Sequence, residues 1–165
     1  MVAIAGPPGS GKSTLAEQLK AELLQMGHQP VVVPMDGFHL DNAILEQRGR
    51  LHRKGAPETF DATGFVHLIE RLSAAGGKDD VVIPVFDRDR DIAIAGADVV
   101  TKQADIILCE GNYLLIDQSP WVQLHEMWDQ SILLNPGMDV IEQRLVQRWL
   151  DHGVSQGNEF PGIQN

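Results

Sequence analysis

The segment Gly6 to Ser13 reads G-P-P-G-S-G-K-S, directly after the apolar run Val2-Ala3-Ile4-Ala5 and directly before a helix-patterned segment. A glycine-rich turn between strand and helix, closed by Lys and Ser, answers one chemical need. Its glycines let backbone N–H groups turn inward around phosphate oxygens, the Lys12 ammonium reaches the β- and γ-phosphates, and the Ser13 hydroxyl ligates Mg²⁺. The next helix adds the positive end of its dipole to the same anion site. Gly6, Gly9, Ser10, Gly11, Lys12, Ser13 and Thr14 are therefore the expected contacts of a nucleoside triphosphate, ATP, with Mg²⁺ beside it.

Around this loop, strand and helix patterns alternate. Leu15, Leu19, Leu23 and Met26 recur at helical spacing up to Gly27, and the β-branched run Val31-Val32-Val33 follows, giving a βαβ unit. The stretch from Gly37 to Asp61, rich in Gly, Pro and charge, reads as irregular. Phe65, Leu68 and Leu72 then mark a helix with Asp61 as N-cap and Gly76-Gly77 as its stop. Strands are expected at Val81–Val85, Ile106–Cys109 and Gln130–Leu134, and a last helix along Met138, Ile141, Leu145 and Trp149, stopped by Gly153. Apolar strands between helices imply an α/β fold of three layers, a mostly parallel sheet covered by helices on both faces. Residues 154–165 show no periodicity and are expected as a mobile tail.

The 165 residues are 43% hydrophobic without any run near the ~20 apolar residues of a bilayer span, which predicts a single domain over 1–165 and no membrane partner. The start M-V-A-I-A-G is already strand-like and not a secretory signal, so a cytoplasmic location is expected. A formal charge of −10 argues against binding a nucleic-acid backbone, which needs clustered cations. A basic island, R-G-R-L-H-R-K from Arg48 to Lys54, stands out against it. The single cysteine, Cys109, lies in an apolar run and reads as a buried thiol, and the histidines show no zinc spacing. Trp121, Trp128 and Trp149 read as packing residues.

Three groups carry the expected chemistry. Asp36, in P-M-D-G-F-H-L, falls just past the second strand, at the sheet edge where ligands of open α/β sheets sit. A carboxylate there can accept the proton of a substrate hydroxyl, with Phe38 and His39 walling the acceptor pocket. Glu110 closes I-I-L-C-E-G, where an acid can hold Mg²⁺ or one of its waters close to Ser13. Arg144 and Arg148 share one face of the last helix and can reach phosphates. Of Arg88 and Arg90, in V-F-D-R-D-R-D, one is expected to bind substrate and the other to pair with a neighbouring aspartate.

Taken together, the phosphate loop, D-G-F, R-K-G-A-P-E-T-F-D (53–61), P-V-F-D-R (84–88), E-G-N-Y (110–113) and R-L-V-Q-R-W (144–149) resemble the phosphoribulokinase/uridine kinase family over nearly the whole chain. The D-G-F and K-G-x-P-E-x-F-D blocks are similar to bacterial pantothenate kinase. The F-D-R variant and the R-W-x-x-H-G ending are similar to fructose transport system kinase-like and nucleoside kinase-like proteins. The resemblance implies Asp36 as catalytic base, Glu110 as the Mg²⁺-associated acid, Arg144 and Arg148 as lid arginines over 144–165, and a homodimer. It places Arg53 and Lys54 beside the acceptor, and Arg88 where pantothenate kinase-like sequences carry a histidine. It also implies a further strand and an adenine-contacting loop beyond the lid, past Asn165.

The reading is thus a kinase passing the γ-phosphate of Mg-ATP to a hydroxyl of a sugar, nucleoside or pantothenate-like acceptor. A regulatory nucleotide switch is one alternative, but a GTPase would need N/T-K-x-D, and Thr101-Lys102-Gln103-Ala104 lacks the aspartate. A nucleoside monophosphate kinase, the other alternative, would favour arginines over Asp36 at the acceptor.

Overall fold

In the computed structural model, residues 1–156 are described, with only the backbone for 148, 149 and 151–156. The first strand, β1 (Val2–Ala5), leads through the glycine-rich loop into helix α1 (Lys12–Gln25), and β2 (Pro30–Pro34) returns beside it. Met26, expected on the buried face of α1, is its exposed C-cap instead. The segment read as irregular holds a short helix, α2 (Asn42–Gln47), capped by the Asp41 carboxylate on Ala43 N–H. Around it lie 3₁₀ turns at Met35–Phe38, Leu51–Arg53 and Pro57–Thr59. Helix α3 (Ala62–Ala75) follows, with Asp61 capping Gly64 N–H and left-handed Gly76 ending it, as the sequence predicts.

Next come β3 (Val81–Asp87), β4 (Ile92–Val100), β5 (Ile106–Gly111), a 3₁₀ segment Trp121–Met127, β6 (Gln130–Leu133) and helix α4 (Met138–Gln156). Among the described residues, β2, β5, β1 and β6 pair in that order, all in parallel. Period-two alternation then sorts the side chains. Ile4 and Leu108 pack under Ala16, Leu15, Leu19 and Leu23 of α1. Ala3, Ala5, Val33 and Cys109 point to the opposite face, against α3 (Phe65, Val66, Ile69) and Trp121 and Leu124. Those are the three layers the sequence predicts, with Cys109 fully buried and its thiol pushed up to about 12 by that burial.

Two expectations are corrected. The strand at Val81–Val85 is not part of the parallel sheet; β3 extends to Asp87 and pairs antiparallel with β4 in a separate hairpin. The connection 88–91 is far too short for the dozen or more residues of a parallel crossover. The hairpin buries Val81 and Ile83 and leaves the facing pair Val82 and Val99 exposed. The last helix also runs past Gly153, where a stop was expected, to Gln156. A lone glycine costs a helix only about 1 kcal/mol. Residues 157–165, expected as a tail, lie outside the described residues, and no helix within these is long and apolar enough to cross a membrane.

Candidate active site

The carboxyl ends of β1, β2 and β5 and the turn of the hairpin enclose one cleft of about 690 Å³. At one end lies the glycine-rich loop, with Pro8, Gly9, Gly11, Lys12, Ser13 and Thr14 in its wall. Gly11 caps α1 in a left-handed conformation (φ 98°, ψ 16°), which side-chain-bearing residues rarely adopt, and so turns the loop back over the helix start. Lys12 is buried at the first helical position and donates from Nζ to the Pro7 carbonyl at 2.9 Å. Arg144 reaches across from α4, where Nη1 donates to the Gly9 and Ser10 carbonyls at 3.3 and 3.1 Å.

On the floor of the cleft, the register sets Pro34 of β2 opposite Glu110 of β5. Glu110 is buried and accepts from the Ser13 hydroxyl at 3.3 Å. Burial, and next the Asp36 carboxylate, push its carboxyl above the ordinary glutamate value, against the pull of Lys12, the Ser13 hydrogen bond and Arg88. Asp36 itself rides on the 3₁₀ turn just after β2. That turn sits hard against the hairpin: a Cβ on Gly37 would stand 2.6 Å from the Pro84 carbonyl oxygen, so only glycine allows the approach.

His39 fixes the same turn from the other side, its Nδ1–H donating to the Asp36 carbonyl at 2.8 Å. The ring lies between Phe60 and Phe86, at centroid distances of 4.1 and 4.5 Å. Burial pulls its pKa below the ordinary value although Asp36 opposes this, which favours the neutral imidazole. Arg88, from the hairpin, donates to Asp36 Oδ2 at 2.6 Å. The remaining wall is Lys54, Gly55, Phe86, Asp91 and Asn112. Tyr113 ties this wall down by donating from its hydroxyl to the Gly55 carbonyl.

The cleft therefore gathers Gly9, Gly11, Lys12, Ser13, Thr14, Asp36, His39, Lys54, Arg88 and Glu110 of the residues singled out in the sequence. Gly6 and Ser10 stand behind the loop rather than in its wall. Phe38 does not line the cleft; it packs edge-on against Phe65 in the core, and Phe86 takes the aromatic place beside His39. Arg53 also turns away from the cleft, onto Glu58 at 2.7 Å, and Arg90 pairs with Asp87 at 2.8 Å. The Arg148 side chain lies outside the described residues. Sequence reasoning missed Phe86, Asp91 and Asn112. Strand alternation from Phe86 to Arg88 was the available signal for the first.

The residues fit a magnesium nucleotide. Ser13 Oγ and Glu110 Oε1 form a pair of hard oxygen donors suited to Mg²⁺ or its water shell. The Ser10 hydroxyl is buried in the loop without a hydrogen-bond partner among the described residues.

A parallel sheet whose first strand feeds such a loop into a helix, with an acid on the neighbouring strand, defines a P-loop nucleotide-binding protein. The chain belongs to the Phosphoribulokinase / Uridine kinase family, which it matches over residues 1–158. It is 56% identical to a structure from Silicibacter sp. TM1040 provisionally described as a fructose transport system kinase, with a TM-score of 0.84 over 92% of this chain and 72% of that one. It is 32% identical to the uncharacterised protein YggC of Escherichia coli (strain K12), over 94% of this chain and 64% of YggC. A pantothenate kinase of Rhodococcus opacus (strain B4) is also 32% identical, over 91% of this chain and 48% of the kinase. The chain thus spans about half to two thirds of the length of these curated relatives.

Proposed function

We propose that the protein is an ATP-dependent small-molecule kinase that transfers a phosphoryl group to an acceptor hydroxyl. The observation that carries this is the convergence of Asp36 with Lys12, Ser13 and Glu110 in one cleft that has room for a second small molecule beyond the loop. Mg-ATP, when bound, supplies the transferable γ-phosphoryl group and the metal charge that screens it. Lys12 and the loop N–H groups hold the phosphate oxygens, and Ser13 and Glu110 hold the metal or its water. Asp36 accepts the proton as the acceptor hydroxyl attacks. Arg88, already bonded to Asp36, keeps that carboxylate aimed into the cleft. Arg144 holds α4 on the loop through the Gly9 and Ser10 carbonyls, from which its guanidinium would meet charge building on the phosphates. Pantothenate, the acceptor in the name of one relative, offers a hydroxyl for this chemistry.

The test is Mg-ATP consumption against sugars, ribonucleosides, pantothenate and glycerate, each beside an acceptor-free control. Acceptor-dependent ADP release should fall by about 10²–10⁴-fold in Asp36→Asn with ATP affinity retained. ADP release that ignores both the acceptor and this substitution refutes the reading.

A further inference from the structure

The hairpin turn places in the cleft a carboxylate that the scheme above leaves unused. Asp91 is exceptional in its backbone, with φ at 55°, the left-handed region that few residues other than glycine enter. Asn42 of α2 and Lys54 of the basic island converge on it. Asn42 Nδ2 donates to Asp91 Oδ2 at 3.1 Å, and Lys54 Nζ donates to Asp91 Oδ2 at 2.7 Å and to the Asp91 carbonyl at 2.8 Å. The third Lys54 bond goes to Asn42 Oδ1 at 2.6 Å. An ammonium has three donors, so all of those on Lys54 are engaged, with the group only 15% exposed over the Phe86 ring.

Lys54 is therefore a clamp on Asp91 and offers no donor to an anion. Asp91 Oδ1, by contrast, has no partner among the described residues, and the side chain lines the cleft at 55% exposure. Arg88, the other cation at this end of the cleft among the described residues, is bonded to Asp36 through Nη2. Free acceptor lone pairs on Asp91, beside a Lys54 ammonium whose three donors are all used, favour hydroxyl donors over negative charge there. Although burial opposes its charge, the Lys54 and Asn42 bonds hold the Asp91 carboxyl below the ordinary aspartate value.

Resting on the kinase reading, we propose that Asp91, held by Lys54 and Asn42, is the specificity-determining residue for the acceptor, and that the acceptor is an uncharged polyol or sugar whose hydroxyls donate to Asp91 Oδ1. Like charge with Asp91 disfavours carboxylate acceptors at the same position.

Matched pairs differing in one carboxylate test this: glucose with gluconate, glycerol with glycerate, pantothenol with pantothenate, together with fructose and ribonucleosides. Binding to the full chain is measured by calorimetry with Mg²⁺ and a non-hydrolysable ATP analogue, and turnover separately with Mg-ATP. The neutral compounds should include the tightest binder and each pair should favour its neutral member by about tenfold or more. Asp91→Asn should raise that binder's Kd and KM about tenfold with the KM for ATP unmoved, a split that a merely structural role would not give. Lys54→Met should act in the same direction, and Arg90→Ala, outside the cleft, should change neither. Neutral compounds that bind through Asp91 without turnover uphold this inference while refuting the kinase reading. Tighter binding of a carboxylate partner, no neutral binder at all, or indifference to Asp91→Asn in a variant that melts like the parent chain overturns it.

Discussion

Glu110, the proposed magnesium-side acid, carries an electrostatic cost in the fold. Its carboxyl sits above the ordinary value because burial and Asp36 disfavour its charge. The folded state thus holds this proton more tightly than the unfolded chain does, and stability falls as pH rises from the ordinary glutamate value through the raised one. Above that window the cost is constant. Glu110→Gln should therefore raise the melting temperature of the ligand-free chain by a few degrees at pH 8, with the gain fading near pH 4. The same variant should need about 10–100 times more Mg²⁺ for half-maximal turnover. Coincident melting curves at pH 8 would remove the burial argument. Glu110 was legible in the sequence because an apolar run ending in one acid is a local pattern. The partners that set its charge, Asp36 and Arg88, are distant in sequence and become neighbours only through strand register and the hairpin.

Among the elements, the 3₁₀ turn Met35–Phe38 depends most on a single contact. Its approach to β3 requires the bare Cα of Gly37, since the atom in the way is the backbone oxygen of Pro84 and cannot rotate aside. Gly37→Ala should cost about 1–3 kcal/mol in denaturant titration and move Asp36, lowering kcat more than the KM for ATP. Unchanged kcat would mean that the turn does not position the base. The sequence displays Gly37 but not its reason, because the strand that crowds it has the apolar pattern of a parallel-sheet strand and reaches the turn only through the hairpin. Val81–Val85 taken alone is apolar enough for a buried strand, and the Ala- and Gly-rich I-A-I-A-G-A-D-V-V carries no strand alternation that would show the return strand β4. Phe38 and Arg53 were misplaced for a similar reason: adjacency to a functional residue in sequence says little about direction on a tight turn. The βα loop, α1, α3 and the four sheet strands were readable, since periodicity and caps are local properties.

Across the whole molecule, α4 and the phosphate loop are far apart in sequence yet joined through Arg144 on the Gly9 and Ser10 carbonyls. Nucleotide binding at the loop should therefore be felt along α4. In amide hydrogen exchange, a Mg-ATP analogue should slow exchange in both residues 9–14 and residues 138–147 of the parent chain. In Arg144→Ala it should slow exchange in the loop alone, and turnover should fall on the order of 10²–10³-fold. Equal protection of α4 in the two proteins would show that the link is carried elsewhere. The hairpin β3–β4 stands apart from this linkage, forming its own ladder outside the parallel sheet while its turn closes the far wall of the cleft. A lineage could rewrite residues 86–91 without disturbing the strands that carry the phosphate loop, so this architecture can acquire a new diet of acceptors through changes in one small appendage.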